Sequence, residues 1–290
     1  MAMTNPLTRA ELVQGFGALG VCTGDLVIAH ASLSAFGYIV GGAHTLCLAL
    51  QSVLGATGTL VMPGFTPQLC HPATWSPRRL NGADPAQLAA EMPCFDPTAT
   101  PVARAIGRVA DCFRAMAEVQ RSAHPHTSFL SHGPAANDLL TPHPTAYRFS
   151  RAGPLGRLYQ ADAKVLLLGV PWSRCTALHL AEYDSPYPGR RWGTWSVPVS
   201  TPRGEPTRWE LVDELLVWEG DFELIGANFL VSAPAGTSDA HIGAAHCRLV
   251  PMRQLVEFAR AWLPRQRDLR AYGVPPGWVG VRTDDDPLPP

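Results

Sequence analysis

Lysine is almost absent from this chain of 290 residues, since Lys164 is the one lysine among 23 basic residues. An excess of charge of one sign is missing too, because 24 acidic residues bring the formal net charge to -1. Proteins that bind nucleic acid or anionic membranes usually present a strongly basic surface. We therefore expect neither nucleic acid nor membrane as a partner, and any fixed positive charge in a site must come from arginine, histidine or backbone amides.

Long apolar runs and paired cysteines are missing as well. No apolar run approaches the roughly 20 residues that cross a bilayer, and the first residues do not combine a basic start with an apolar segment. We therefore expect a cytoplasmic protein. The seven cysteines are scattered singly without CxxC spacing, which favours reduced thiols over a disulfide framework or a zinc site. We expect no bound metal.

The chain does contain an ordered series of short apolar runs separated by glycine and proline. Thr8 and Glu11 have the spacing of a helix capping box. The apolar runs 25–30 and 59–62 flank a helical pattern closed by Gly55, which predicts a strand–helix–strand unit with parallel strands. The remaining pattern predicts a loop over 67–101 with a short helix at 84–92, helices at 102–118, 134–140, 155–160, 177–183, 222–233 and 253–263, and strands at 164–170, 195–201, 207–219 and 246–250.

This order of elements predicts an α/β fold with a central, mostly parallel sheet flanked by helices and an additional antiparallel flap. We assign residues 1–265 to a single catalytic domain and residues 266–290 to a C-terminal extension that is frayed in part. In a sheet of this kind, functional residues lie at the carboxyl ends of the strands.

The strongest local signal is the pair His179 and Glu182, which follows the buried run 164–170. Three helical residues apart, the two side chains can share one face. A histidine held by a carboxylate is a competent general base at neutral pH. The same spacing also describes a buried histidine that is hydrogen-bonded to a backbone carbonyl, so the pair does not settle the function by itself.

Four blocks of the sequence together resemble, in the same order, the antibiotic N-acetyltransferases that acetylate the 3-amino group of aminoglycosides. The resemblance runs over about residues 20–265 and implies a fold distinct from that of the GCN5-type acetyltransferases. It implies acetyl-CoA as co-substrate and a small-molecule amine as acceptor. The oligomeric state stays open, with a homodimer as one expectation. The four blocks are 30–66, 121–140, 164–182 and 242–263.

The resemblance also implies roles for single residues. His179 is the expected general base, and Glu182 is expected to orient it or to hold a cationic acceptor. Asp221 matches an acidic position of the family and is a second candidate contact, with Glu223 behind it, although a plain helix N-cap explains Asp221 equally well.

Two segments are similar to the parts of the family that face coenzyme A. The first resembles the family's HxSL motif, in which backbone amides and hydroxyls meet the cofactor; local capping of the next turn is the other explanation for its serines. The second is the loop that begins at residue 121. The cofactor-binding candidates are His30, Ser32, Leu33 and Ser34 in the first segment, and Arg121, Ser122, His124 and Ser128 in the second.

Two other mechanisms remain open at this stage. A metal-dependent hydrolase could use the HxH pair of His124 and His126 or the later cluster of Asp239, His241 and His246. A thiol route through Cys175, four residues before His179, is the second. The resemblance favours direct acyl transfer over both.

The acceptor is the least determined part of the function. Aminoglycosides are polycations, and a pocket for them is expected to carry several carboxylates. Arg190 and Arg191 instead follow the candidate base closely in sequence. If they face the site, they favour an anionic or aromatic acceptor from a biosynthetic pathway, and if they face solvent they have no bearing on it.

Overall fold

The computed structural model describes residues 5–199, 206–232 and 234–284. Its strands are two to nine residues long. They are β1 (Leu26–Ala31), β2 (Thr59–Pro63), β3 (Gln120–Arg121), β4 (Phe129–His132), β5 (Lys164–Leu168), β6 (Arg191–Val199), β7 (Arg208–Leu215), β8 (Ser238–Ile242), β9 (Ala245–Pro251) and β10 (Val279–Thr283).

The helices vary from four to fifteen residues. They are α1 (Arg9–Ala18), α2 (Gly42–Leu54), α3 (Pro77–Leu80), α4 (Pro85–Glu91), α5 (Arg108–Arg114), α6 (Ala136–Leu140), α7 (Pro154–Gln160), α8 (Ala177–Asp184), α9 (Phe222–Val231) and α10 (Met252–Gln266). No helix of the described residues is long and apolar enough to cross a membrane.

Seven strands form the main sheet in the order β3-β4-β2-β1-β5-β9-β8. The central strand β1 pairs in parallel with β2 and β5, whereas β4 and β9 run antiparallel to their neighbours. Five strands consequently run in one direction, and the predicted mostly parallel α/β sheet is confirmed.

Helices cover both faces of this sheet. Successive side chains of a strand point to opposite faces, so Val165 and Leu167 of β5 join the core under α6 to α10, and Leu166 and Leu168 join the core under α1, α2 and α5. Residues of β5 are buried on both faces, which explains why the strand reads as a continuous apolar run.

The predicted antiparallel flap is a separate three-stranded sheet in the order β10-β6-β7. Strands β6 and β7 pair from Trp192 opposite Leu215 to Val199 opposite Arg208. The indole Nε1 of Trp195 donates a hydrogen bond to Nδ1 of His126 at 3.0 Å. This contact fastens the flap to the β3–β4 hairpin at the edge of the main sheet.

Several element boundaries differ from the prediction. The helix expected over 102–118 is limited to α5, because Gly107 has φ +114 and Glu118 has φ +63, outside the helical region. The segment from 121, expected to be a loop, forms the hairpin of β3 and β4. Strands β8 and β10 were not predicted. Residues 285–290, in the segment expected to fray, lie outside the described part of the chain, so the boundary at 265 stays a prediction.

Candidate active site

A cleft of about 1000 Å³ opens at the carboxyl ends of the central parallel strands. Its walls come from the segments that leave β1, β2 and β5, together with residues 104–110 and the start of α8. Strand ends converge here because β1, β2 and β5 run in the same direction. The topology therefore brings residues that are far apart in sequence to one cavity.

His179 lines this cleft from the first turn of α8. Its Nδ1–H donates to Oε2 of Glu182 at 2.5 Å, so the predicted pairing of the two side chains is present in the structure. The imidazole stacks on the ring of Phe149, with centroids 4.7 Å apart and planes inclined by 8°. With Nδ1 engaged, Nε2 is the nitrogen that can accept a proton.

Glu182 is fully buried and belongs to a charged network under the cleft. Its Oε1 accepts hydrogen bonds from the backbone N–H of Trp218 at 2.9 Å and from the guanidinium of Arg267. The same guanidinium donates to both carboxylate oxygens of Asp221, at 2.8 and 2.5 Å, and to the carbonyl of Trp218 at 3.0 Å. A single buried arginine therefore pairs with two carboxylates.

Burial opposes the charge of Arg267, but the hydrogen bonds to Asp221 and the nearby charge of Glu182 outweigh it and raise the pKa of Arg267. The guanidinium stays charged and holds Glu182 in place, which in turn orients the imidazole of His179. The role of Arg267 was not predicted from the sequence, because an arginine near the end of a charged helix gives no local signal of burial.

The N-cap explanation of Asp221 is wrong as a side-chain contact, and Thr176 makes no such contact among the described residues either. Asp221 occupies the position before α9, but its carboxylate makes no capping bond to the described helix and binds Arg267 instead. Thr176 precedes α8 with helical backbone angles, and its hydroxyl makes no capping bond within the described residues. Glu223, the alternative to Asp221, accepts the backbone N–H of Ser173 at 2.9 Å.

The first group of cofactor candidates lies in the cleft wall. His30, Ser32, Leu33 and Ser34 all line it, at the end of β1 and in the short 3₁₀ turn Leu33–Phe36. The hydroxyls of Ser32 and Ser34 are 3.3 Å apart. His30 is 7% exposed, and burial together with the charge of His179 lowers its pKa to about 3.

The second group lies in the β3–β4 hairpin and is absent from the described lining of the cleft. Arg121 donates to Ser128 Oγ at 2.9 Å and to the carbonyl of Gly64 at 2.6 Å, and Ser128 donates to the same carbonyl. Ser122 Oγ bonds Nδ1 of His143 at 2.9 Å. The structure thus brings these residues together as internal supports, and their contact with coenzyme A stays a prediction.

Four arginines in the cleft wall were not singled out in the sequence. Arg148 is half-buried and lies 3.8 Å from a carboxylate oxygen of Glu214, while the other three are exposed; within the described lining, Glu219 is the one carboxylate. The scarcity of lysine already required any positive charge here to come largely from arginine, but no spacing identified which ones. The four are Arg104, Arg108, Arg148 and Arg174.

Arg190 and Arg191 do not line the cleft among the described residues. Arg190 donates to Asp284 at 2.7 Å and to the carbonyl of Ser185 at 2.7 Å. Arg191 donates to the backbone carbonyls of Leu269 and Tyr272 at 2.9 and 2.6 Å. Both arginines fasten the C-terminal segment, so the objection to a cationic acceptor that rested on them falls away.

The histidines considered for a metal are already engaged with protein groups. His124 Nδ1 accepts two backbone N–H groups and its Nε2 donates to the carbonyl of Thr145, while His126 bonds Trp195 and the carbonyl of Leu69. His246 pairs with Asp239. Within the described ranges no group of three metal-ligating side chains is present.

Cys175 is fully buried, and burial raises the pKa of its thiol to about 12. It precedes α8 and is absent from the described lining of the cleft. A thiol in this state supplies no thiolate at neutral pH, which argues against the acyl-enzyme route. All seven cysteines lie among the described residues, and none of them forms a disulfide there.

Residues 28–264 match the sequence family described as aminoglycoside 3-N-acetyltransferase. The chain is 33% identical over 263 residues to the SPbeta prophage-derived aminoglycoside N(3')-acetyltransferase-like protein YokD of Bacillus subtilis (strain 168), over 89% of this chain and 93% of that protein. It is 34% identical over 285 residues to aminoglycoside N(3)-acetyltransferase VIII of Streptomyces fradiae, over 93% of this chain and 96% of that protein.

Solved structures agree with these sequence relationships. The crystal structure of YokD superposes with a TM-score of 0.85 at 31% identity, over 94% of this chain and 98% of that one. AAC-IIIb in a binary complex with CoASH superposes with a TM-score of 0.77 at 28% identity, over 90% and 98% of the two chains. AAC-VIa bound to sisomicin gives 0.75 at 28% identity, over 89% and 98%.

Proposed function

Because this chain belongs to the aminoglycoside 3-N-acetyltransferase family, we propose that it transfers an acetyl group from acetyl-CoA to an amine of an aminoglycoside-type acceptor, with His179 as general base. The observation that carries the proposal is the position of His179 in the cleft wall, bonded through Nδ1 to the buried Glu182. This geometry leaves Nε2 for the proton of the acceptor.

An aliphatic amine is mostly ammonium at neutral pH and first loses one proton to solvent. Its lone pair then attacks the thioester carbon and the carbonyl π electrons move to oxygen. The attacking nitrogen becomes cationic in this step, so a base is needed for its second proton. Nε2 of His179 takes the second proton from the attacking nitrogen, and Glu182 stabilises the imidazolium. The carbonyl then re-forms, the C–S bond breaks, and the proton on His179 passes to the sulfur of coenzyme A.

The cleft also suits the charge of the acyl donor. Acetyl-CoA carries phosphate groups, and Arg104, Arg108 and Arg174 are exposed in the wall. Arginine binds phosphate through several donors in a fixed planar arrangement. A relative, AAC-IIIb, has been solved with CoASH. We infer that His30, Ser32, Leu33 and Ser34 contact the pantetheine end of the same molecule.

An aminoglycoside acceptor is supported by the names of the relatives and by the sisomicin complex of AAC-VIa. One observation favours a second candidate, the same transfer to a less cationic biosynthetic amine. Within the described lining, four arginines stand against the single carboxylate Glu219, whereas a polycation is best matched by several carboxylates. Both candidates share the base and the acyl donor, and both leave homodimer formation as a prediction.

The test is the release of coenzyme A from acetyl-CoA, followed with a chromogenic thiol reagent. The acceptors are gentamicin-type and kanamycin-type aminoglycosides and a set of neutral and anionic amines. We expect His179→Ala to lower kcat roughly 10²- to 10⁴-fold. Release that does not depend on an added amine, or that persists in His179→Ala, would contradict the proposal.

His132→Ala is a matched control for the loss of a histidine. His132 also lies beside a carboxylate, 3.7 Å from Glu118, but it pairs with Leu60 at the opposite end of β2 from the cleft. Its replacement should leave kcat within about twofold of the unsubstituted protein, because surface changes away from a site are usually small in effect. An equal loss in both variants would point to general damage rather than to a missing base.

A further inference from the structure

A second imidazole, that of His30, belongs to the same cleft as His179. His30 lies in β1, where it pairs with Leu167 of the neighbouring strand β5, and β5 leads through a short turn into α8 and His179. Adjacent parallel strands therefore deliver both rings to one end of the sheet. The charge of His179 also contributes to the lowered pKa of His30, in keeping with the place of both side chains in one cleft wall.

The Nε2 atom of His30 is buried and has no hydrogen-bond partner among the described residues. An unpartnered buried polar nitrogen costs about 1–3 kcal/mol, and such groups in folded proteins are few. The buried histidines His124 and His126 and the partly buried His143 each bond protein groups through both ring nitrogens. His30 therefore differs from the histidines that merely support the fold.

His30 cannot share the role of base with His179. Burial lowers the pKa of His30 to about 3, so the ring is neutral near pH 7 and has little affinity for a second proton. A neutral imidazole still has one N–H group, and this group can donate. The available chemistry is thus hydrogen-bond donation to an oxygen that gains negative charge.

We propose that Nε2–H of His30 donates a hydrogen bond to the carbonyl oxygen of the acetyl group and stabilises the oxyanion that forms on it. The inference rests on the proposed acetyl transfer. When the amine lone pair forms the new C–N bond, the carbonyl π pair moves to oxygen and His30 donates to that oxygen without transferring its proton. As the C–S bond breaks, the pair returns to the carbonyl and the thiolate takes its proton from His179.

The position of His30 fits this role better than a role in cofactor affinity. The reacting carbonyl must lie within reach of the amine that His179 deprotonates, and His30 lines the same cleft from the strand next to the one that leads into α8. Donors fixed beside a developing oxyanion in a site with little water typically contribute about 10²–10³ in kcat. A hydrogen bond that is weak in the bound thioester and strengthens as negative charge develops on the oxygen affects kcat far more than KM when it is removed.

Two substitutions distinguish the effect of losing the N–H donor from the effect of changing the side-chain volume. His30→Leu removes the N–H group and keeps an apolar side chain in a buried position, and His30→Gln keeps an N–H donor. We expect His30→Leu to lower kcat about 100-fold with the KM for acetyl-CoA within about threefold, and His30→Gln to recover at least about tenfold of that loss. Thermal unfolding of each variant shows whether it is folded. If His30→Leu does not fold, the kinetic comparison is made with His30→Gln.

The vibrational frequency of the thioester carbonyl gives a readout that does not need turnover. Isotope-edited Raman spectra of acetyl-CoA bound without acceptor should show a carbonyl band at lower frequency than in water. The shift should remain in His179→Ala and in His30→Gln and be lost in His30→Leu. An unchanged band in His30→Leu, or a rise in KM at constant kcat, overturns the proposal.

The proposed acetyl transfer and the proposed role of His30 can be refuted separately. If no amine is acetylated by the unsubstituted protein, the proposed function fails, and the Raman measurement on bound acetyl-CoA still tests His30. If acetylation occurs and requires His179, but His30→Leu and His30→Gln keep full kcat, the function stands and the role of His30 is wrong.

Discussion

Replacing Arg267 with methionine should damage stability and catalysis together. The guanidinium is completely buried and is the cationic partner of Glu182 and Asp221 in the network below the cleft. Methionine keeps most of the apolar stem but removes every donor. Breaking a buried ion pair by removing one partner typically costs about 3–5 kcal/mol, because a charge is left without compensation.

The catalytic effect follows from Glu182. Without Arg267, the carboxylate keeps the backbone N–H of Trp218 and the imidazole of His179, but it loses its fixed positive charge. The carboxylate is then held in place by fewer hydrogen bonds, and it orients the imidazole of His179 less firmly. We expect kcat to fall roughly ten- to hundredfold, equivalent to about 1.4–2.8 kcal/mol in the activation barrier.

The assay combines urea unfolding with the coenzyme A release measurement at a temperature where the variant is folded. Arg253→Met is the matched control, because Arg253 pairs with Asp162 on the surface of α10, where both side chains are about half exposed. Exposed pairs contribute about 0–1 kcal/mol. The reasoning is refuted if Arg267→Met loses less than about 1 kcal/mol of stability and keeps full kcat. Arg267→Lys should not rescue either property, because lysine lacks the planar donor arrangement.

Three further results are expected from the buried groups near the cleft. Burial lowers the pKa of His126 and of His143 to about 4 and that of His30 to about 3, against an ordinary value of 6.5. Below pH 6.5 the unfolded chain therefore binds more protons than the folded protein. The stability present above about pH 6.5 is lost as the pH falls towards 4, by about 1.4 kcal/mol per pH unit for each histidine. Urea unfolding measured across that pH range should show the loss of stability. Stability should depend less steeply on pH in His143→Asn than in the unsubstituted protein, and an equal dependence in both would contradict the prediction. Cys175→Ala should keep kcat within about twofold in the coenzyme A assay, because the thiol is buried and protonated, and a tenfold loss would restore the thiol route. Gly169→Ala should cost about 1–3 kcal/mol in urea unfolding, because φ is +64 and the new Cβ would lie 2.3 Å from the Cβ of Ala35; unchanged stability would show that the loop adapts.

The elements that show a clear pattern of apolar residues along the sequence were predictable. Strands β1, β2 and β5 are continuous apolar runs because helices cover both faces of the sheet, and α2 places Leu46, Leu50 and Leu54 on one buried stripe. The pairing of His179 with Glu182 follows from helical spacing alone. These features show in the residue types of short continuous segments, so the sequence carries their signal.

The features that were missed depend on distant partners. Strand β8 reads Ser-Asp-Ala-His-Ile, with no apolar alternation, and it forms because β9 offers an open edge. Helix α5 starts late because Gly107 leaves the helical region. Arg267 lies in a charged stretch that is typical of an exposed surface, and only the tertiary fold brings it to Glu182 from 85 residues away. The four arginines of the cleft wall converge for the same reason.

The most direct test of the account is a single-turnover measurement of acetyl transfer, with the protein in excess over acetyl-CoA and the acceptor product followed by mass spectrometry. The account predicts that the unsubstituted protein forms one monoacetylated product, that His132→Ala forms it at the same rate, and that His179→Ala forms it at least about 100-fold more slowly while still binding acetyl-CoA. Equal rates of product formation in His179→Ala and the unsubstituted protein would contradict the assignment of His179 as the base.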